Sequence, residues 1–420
     1  MIRSPTAILA LLTGLNFLNY LDRYIVAAVL PRIQEDLQLS NFEGGLLATV
    51  FLLGYFVTSP IFGVLGDRMS RKRLITLGVL TWSGATIASG LASELWVLLI
   101  ARAFVGIGEA SYATLAPTII DDITPPERKG KALAIFFIAV PVGSALGYIM
   151  GGFVQKHWGW QEAFFVGGAP GMVLALLCLA IDEPVRKHVA DAKAKLVETA
   201  ARLARVVLYR RAVLGYCAHT AAIGAFSFWA PKFLSERFAA DLGSTSEAAL
   251  AKANFVFGAV TVVAGAIGTI VGGRMADRAV AALPSAPPDA DHTHPANRLA
   301  ANAQLRVCAI GVAIAFPLTA AAFIAPSAWM FFTFAGIAEV GLFLSTAPIN
   351  AIMLRTVPPY MRASAMAIAI FSIHLFGDLW SPALVGLFLD YLPVVVAMMA
   401  LPFAFAIATA VWWPRRREAE

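Results

Sequence analysis

Gly63-Val64-Leu65-Gly66-Asp67-Arg68-Met69-Ser70-Arg71-Lys72-Arg73 is a knot of charge set between two long apolar runs. Five ionisable side chains within residues 67–73 cannot lie in hydrocarbon, so this segment belongs in water at a membrane face. The pattern returns in Gly273-Arg274-Met275-Ala276-Asp277-Arg278, which repeats the Gly-x-x-x-Asp-Arg core at the end of another apolar run. A chain that makes the same membrane-face turn twice is expected to consist of two similar halves.

The rest of the chain fits that frame. Of its 420 residues 59% are hydrophobic and only 14% charged, and the mean hydropathy is +0.74. The expectation is an all-α polytopic membrane protein. Apolar runs of ~17–25 residues mark spans. They predict twelve helices, near 7–30, 43–66, 74–92, 95–121, 130–155, 161–181, 212–235, 252–275, 305–325, 328–354, 361–389 and 393–413. The first run continues from Ala7 to about Leu30 without a small-residue cleavage site, which argues against a cleaved signal peptide. Cys178, Cys217 and Cys308 stand apart in apolar surroundings, with no metal or disulfide spacing.

The net charge of +6 is distributed, not clustered for nucleic acid. With both termini inside, the cytoplasmic segments hold 25 basic residues and the opposite side holds 5. That bias places both ends in the cytoplasm, and with no targeting segment read in the sequence the expected location is a plasma (inner) membrane. Domain boundaries follow: a six-helix bundle over 1–183, a cytoplasmic amphipathic linker over 184–211, and a second six-helix bundle over 212–420. A second internal match, Thr124-Pro125-Pro126 with Val357-Pro358-Pro359, is offset by 233 residues, against 210 for the first. The difference is taken up by the Pro/Ala/Asp-rich stretch 279–302, expected to be a mobile cytoplasmic loop.

The charged turn after helix two, its echo after helix eight, Arg102-x-x-x-Gly106-x-Gly108 on helix four and a Gly/Pro-rich fifth helix resemble the major facilitator superfamily across essentially the whole chain. Asn16-Phe17-Leu18-Asn19-Tyr20-Leu21-Asp22-Arg23 and Arg102 to Tyr112 (Arg-Ala-Phe-Val-Gly-Ile-Gly-Glu-Ala-Ser-Tyr) resemble the Spinster family within it. The resemblance implies a pair of pseudo-symmetric six-helix bundles working by alternating access, in a family associated with lysophospholipids and sphingosine phosphates. Asn19 and Tyr112, inside the two matching stretches, become candidate substrate contacts.

Asp22 in helix one and Arg102 and Glu109 in helix four carry charge where charge costs roughly 2.5–3.5 kcal/mol on insertion scales. Arg102 and Glu109 are seven residues apart, two helical turns, and so project from one face with Gly106 between them. With helix one running outward and helix four inward, all three reach similar depth and can share one cavity. Burial and a neighbouring guanidinium act in opposite directions on a carboxylate's proton affinity. Asp22 paired with Arg102 in one state and released in the other would make a proton switch. Glu109 would share that proton or touch a head group, and Arg102 suits an anionic head group. A structural ion pair between helices one and four is the competing expectation. Arg23, adjacent to Asp22, points to a different face and receives no role; Glu339 in helix ten is a lone carboxyl of undecided role.

At the membrane face, Gly63, Asp67, Arg68 and Arg71 form an expected conformational latch, with Arg68 and Arg71 reaching Asp121 or Asp122 and Asp67 accepting from a helix N-terminus. Asp277 and Arg278 are its weaker counterpart, since no basic cluster follows them. A solvated turn that only sets topology is the alternative. On the fifth helix Pro141, Gly143, Gly147, Gly151 and Gly152 serve close packing or sliding equally well.

The second half offers His219, Phe226 and Trp229 on helix seven and His374 on helix eleven, an aromatic lining for the apolar part of an amphipathic ligand. Aromatics at helical spacing are more often core or lipid-facing, and satisfied core histidines are commoner than titrating ones. The function expected is a proton-coupled secondary transporter of a lipid-like anion, monomeric among membrane lipids, with no cofactor and no metal. The rival substrate is a small organic anion, sugar acid or drug. The chain shows no HExxH, GxSxG or P-loop pattern, against an embedded enzyme or a nucleotide-driven pump.

Overall fold

The computed structural model describes residues 2–125, 128–183, 196–284, 287, 293–358 and 361–413. Ten helices among the described residues are long and apolar enough to cross a membrane. Two further helices, α1 (Pro5–Leu37) and α3 (Arg71–Gly90), have the length but more polar sequence. Their polarity is buried: Asn16, Asn19 and Asp22 on α1 and Thr76, Ser83, Thr86 and Ser89 on α3 are all under 9% exposed.

Two compact units emerge, the first comprising 1–191, 227–259 and 382–390. It holds α1, α2 (Asn41–Arg68), α3, α4 (Leu95–Ile123), α5 (Lys129–His157) and α6 (Trp160–Leu179). α2 starts on a capping box: the Ser40 hydroxyl accepts from the Glu43 amide, and the Glu43 carboxylate accepts from the Ser40 amide. α1 packs along α5, α2 along α4, and α3 along both α4 and α6. Small residues allow the approach. A Cβ added at Gly143 would stand 2.6 Å from the Phe17 carbonyl oxygen and one at Gly147 2.5 Å from that of Leu21, so the α5 glycines are used for close packing.

Parts of α8 (Val207–Arg237) and α10 (Ser246–Ala281), the short α9 (Ala239–Leu242) and residues 382–390 complete this unit. They are fastened by bonds that hydropathy does not reveal. Lys232 Nζ donates to Gln34 Oε1 at 2.8 Å and Asn41 Oδ1 at 2.7 Å. Arg32 bonds Ser246 and Glu247, and the Asp390 carboxylate accepts from the backbone amides of Asn41 and Phe42 at 2.8 and 2.9 Å. That last contact is an anion on a helix N-terminus.

The second unit comprises 192–226, 260–381 and 391–420. Its elements include α7 (Leu196–Arg205), α11 (Pro295–Phe323), α12 (Ala328–Phe343), α13 (Thr346–Arg355) and α14 (Arg362–Ile373), which runs into a π turn (His374–Asp378). After α15 (Ser381–Tyr391), whose residues 382–390 belong to the first unit, come α16 (Val394–Met398) and α17 (Ala400–Trp412). α11 packs on α12, α13 and α17, and α7 lies against α14. Buried Arg211 donates to the carbonyls of Val411 and Trp413, capping the end of α17 with a cation.

Of the expected linker, 184–195 lies outside the described residues, and the amphipathic part that is described is α7. The stretch 279–302 is less loop than its composition implies: α10 continues to Ala281 and α11 begins at Pro295. Pro295 occupies the first helical turn, where its missing N–H costs nothing, and His294 Nδ1 accepts from Ala296 N at 3.2 Å. Residues 285–286 and 288–292 lie outside the described residues.

Candidate functional site

The charged groups singled out in the first half come together in the first unit. Their placement depends on one helix crossing. Gly106 on α4 lies so close to α2 that a Cβ there would collide with the Phe51 carbonyl oxygen and stand 2.9 Å from the Tyr55 amide. This close approach brings the α2 aromatics Phe51 and Tyr55 against the charged faces of α1 and α4.

Arg23 Nη2 donates to Glu109 Oε2 at 2.6 Å, with the Glu109 side chain fully buried and that of Arg23 21% exposed. Three rings surround the Arg23 guanidinium: its Cζ is 4.9 Å from the centroid of Tyr20, 4.9 Å from Phe51 and 5.6 Å from Tyr55. Each such contact is worth about 0.5–2 kcal/mol, more as water is removed. Asp22, 1% exposed, accepts from Thr86 Oγ1 at 2.7 Å. Arg102, 2% exposed, stands with its Cζ 4.8 Å from the same Phe51 ring.

The geometry therefore differs from the pairing expected. Among the described residues no ion pair within 4.0 Å joins Asp22 to Arg102; the carboxylate paired with a guanidinium is Glu109, and its partner is Arg23. The reason is rotational. Asp22 and Arg23 are about 100° apart around α1, and the face carrying Arg23 meets Glu109 and the α2 rings, while Asp22 turns to α3. Among the described residues several polar atoms of the cluster have no hydrogen-bond partner, namely Asp22 Oδ1 and Arg102 Nε and Nη1, while the Asn19 side chain bonds the Glu109 carboxylate. Buried polar atoms are normally satisfied, so this concentration marks groups held ready for something else.

The other predicted contacts are distributed differently. Tyr112 is buried and donates its hydroxyl to the Leu12 carbonyl, with Trp82 and Phe136 around it, and so is committed to packing. Trp229, also in the first unit, donates its indole N–H to the Pro382 carbonyl at 2.8 Å. His219, Phe226 and His374 belong to the second unit. His219 packs among Tyr216, Phe405 and Trp412, and His374 Nδ1 lies 2.9 Å from Asp378 Oδ1 across the π turn. Phe226 lines a small pocket with Phe323, Phe405 and Glu339, where Glu339 Oε1 accepts from Thr261 Oγ1 at 3.2 Å.

In the charged turn the buried basic side chain is Arg71, 5% exposed. Its Nη1 lies 2.7 Å from Asp122 Oδ2 and donates to Thr118 Oγ1 at 3.1 Å. Its amide donates to Glu183 Oε1 at 2.6 Å, and Lys72 Nζ donates to the Ile181 carbonyl at 2.7 Å. Arg68 is exposed and Asp121 half-buried; Gly63 faces Thr114 with room to spare; the Asp67 side chain lies outside the described residues. Asp277 and Arg278 are exposed, and among the described residues neither makes an ion pair.

Arg23, Thr86 and Phe51 were missed by sequence reasoning. A readable signal existed for Arg23: Phe51 and Tyr55 form an i, i+4 aromatic pair on the helix next in the chain to an arginine inside a span.

A buried ionic cluster among packed membrane helices marks a site on a substrate or ion path, as membrane transport proteins have. A family model for the Major Facilitator Superfamily matches residues 12–287. The chain is 35% identical over 398 residues to protein spinster homolog 3 of Danio rerio, covering 91% of this chain and 76% of that one. It is 31% identical over 448 residues to the sphingosine-1-phosphate transporter SPNS2 of the same organism, covering 98% and 85%. A crystal structure of a bacterial homolog to the human lysosomal transporter Spinster, inward-facing and occupied, superposes with a TM-score of 0.80 at 23% identity, covering 98% and 97%. The chain belongs to the Spinster family of the major facilitator superfamily, and is a multi-pass membrane transporter, not an enzyme.

Proposed function

We propose that the protein is a proton-coupled secondary transporter that moves an amphipathic, lipid-like anion of the lysophospholipid or sphingosine-phosphate type by alternating access. The observation that carries this reading is Arg102: a guanidinium 2% exposed whose Nε and Nη1 have no hydrogen-bond partner. Its planar fork matches a phosphate oxygen pair. The lipid character of the cargo is supported by the relatives named sphingolipid and sphingosine-1-phosphate transporters.

Proton coupling is supported by charge balance. Asp22 and Glu109 against Arg23 and Arg102 sum to zero when all four are ionised. A proton on either carboxyl leaves the cluster at +1, and an anionic head group at Arg102 restores neutrality. Proton and anion therefore favour each other's binding, with equal and reciprocal coupling. The working location is the plasma (inner) membrane with both termini cytoplasmic, the side to which the basic residues are biased.

The test is uptake of sphingosine 1-phosphate into proteoliposomes under an imposed pH gradient. The gradient accelerates uptake by the native protein, Asp22→Asn binds but loses the acceleration, and Arg102→Gln loses binding. Undiminished gradient-driven uptake by Asp22→Asn removes Asp22 from the mechanism.

A further inference from the structure

We propose that Phe51 is a positioning residue: its ring holds the Arg102 guanidinium in place without using its N–H donors, which keeps those donors available to an anionic ligand. The inference rests on the reading of Arg102 as the anion contact. A buried guanidinium is ordinarily held by carboxylates or carbonyls, and each of those consumes donors. An aromatic face stabilises the charge through its quadrupole and leaves the N–H groups in the guanidinium plane unused.

The contacts of the two guanidiniums are unequal. Arg23 has a carboxylate at 2.6 Å and the rings of Tyr20 and Tyr55 besides Phe51. Arg102 has the Phe51 ring at 4.8 Å and no hydrogen-bond partner for Nε or Nη1. Phe51 thus bears on both cations: for Arg23 it is one ring of three beside a bonded carboxylate, and for Arg102, which also feels the charges of Asp22 and Glu109, it is the one ring contact among the described residues. The ring itself cannot drift. Phe51 is 3% exposed, its backbone lies against Gly106 at the α2–α4 crossing, and its ring neighbours Tyr55 at 6.4 Å. Without the ring, Arg102 would turn to a carboxylate. Glu109 lies two turns further along its own helix, and Asp22 has Oδ1 without a partner among the described residues. Either pairing converts a ligand site into a closed internal ion pair.

Replacing Phe51 with mono-, di- and trifluorophenylalanine weakens the quadrupole stepwise at nearly constant shape. Binding and transport of sphingosine 1-phosphate by the full chain in liposomes are then measured. The expected result is a stepwise rise in KM with fluorination, reaching about twofold to thirtyfold for loss of one cation–π contact, with kcat little changed. Phe51→Tyr keeps native affinity and Phe51→Leu loses it. Flat affinity across the fluorine series overturns the inference if Arg102→Gln abolishes binding in the same assay. If Arg102→Gln leaves binding intact, the anion reading itself fails and the inference with it. Should the fluorinated proteins lose kcat and KM together with their thermal stability, the ring is only a packing element and the proposal is wrong.

Discussion

Replacing Arg23 with Met removes the one guanidinium bonded to Glu109 while keeping a long apolar side chain in its place. Glu109 is fully buried, and besides Arg23 its hydrogen-bonding neighbour is the neutral Asn19 side chain. The substitution leaves Oε2 without the donor at 2.6 Å, so a buried carboxylate loses the cation bonded to it. Removing one partner of a buried pair costs about 3–5 kcal/mol. The reciprocal change is milder. Glu109→Gln leaves Arg23 a side-chain carbonyl that accepts the same hydrogen bond, three aromatic rings and 21% exposure to solvent. The loss is about 1–2 kcal/mol, the difference between a charge-assisted and a neutral bond. The double variant carries neither charge, so adding Glu109→Gln to Arg23→Met should restore about 2 kcal/mol. Unfolding free energies of the four proteins, measured by steric trapping in bicelles near neutral pH, complete the cycle. The reasoning is refuted if Glu109→Gln costs as much as Arg23→Met, or if the two losses simply add.

Three further outcomes follow from the packing. Gly106→Ala forces a Cβ into the Phe51 carbonyl and should cost about 1–3 kcal/mol as overpacking; Gly63→Ala, whose nearest atom would be 4.0 Å away, should be neutral or stabilise by about 0.4–1 kcal/mol, both read by thermal melting in detergent. Asp390→Ala strips the acceptor from the Asn41 and Phe42 amides and should cost about 1 kcal/mol, low in the cap range because the carboxylate is exposed, with faster hydrogen exchange confined to the first turn of α2. Arg71→Lys cannot span Asp122 and Thr118 with one ammonium and should lower stability by about 1–3 kcal/mol, whereas Arg278→Lys on the exposed second turn should change it by less than about 0.5 kcal/mol.

The helices were legible because length and apolarity alone mark a span, and the charged turn because a charge cluster alone marks a membrane face. Those signals are local in the chain. The choice of Asp22, Arg102 and Glu109 was legible for the same reason: an ionisable group in hydrocarbon stands out without knowledge of its neighbours. Which group pairs with which was not, since periodicity fixes angles within one helix and leaves the rotation of α1 against α4 free. Arg23 was set aside for pointing away from Asp22, and that is the face on which Glu109 and Phe51 lie. Tyr112 and Trp229 illustrate another limit. Spacing shows that an aromatic faces inward, but whether its polar tip meets a ligand or a neighbour's carbonyl depends on backbone groups that no pattern exposes. In the charged turn, α2 ends at Arg68 and α3 starts at Arg71. That two-residue break leaves Arg68 at the surface and turns Arg71 inward to Asp122.

Three buried arginines show why the unused atoms of the central cluster carry the functional argument. Arg71, Arg102 and Arg211 are 5%, 2% and 5% exposed, so burial alone treats them alike. Arg71 directs its guanidinium to Asp122 and Thr118, and Arg211 to the carbonyls that end α17. Both join elements of the fold, as a buried cation must if its desolvation is to be offset. Among the described residues Arg102 makes no hydrogen bond through Nε or Nη1 and rests on a ring, whereas the other two each commit a terminal guanidinium nitrogen to the fold. A group kept for structure has no reason to carry that penalty. A group kept for a ligand must, because every donor satisfied internally would have to be released before the ligand could bind, and affinity would fall by that cost.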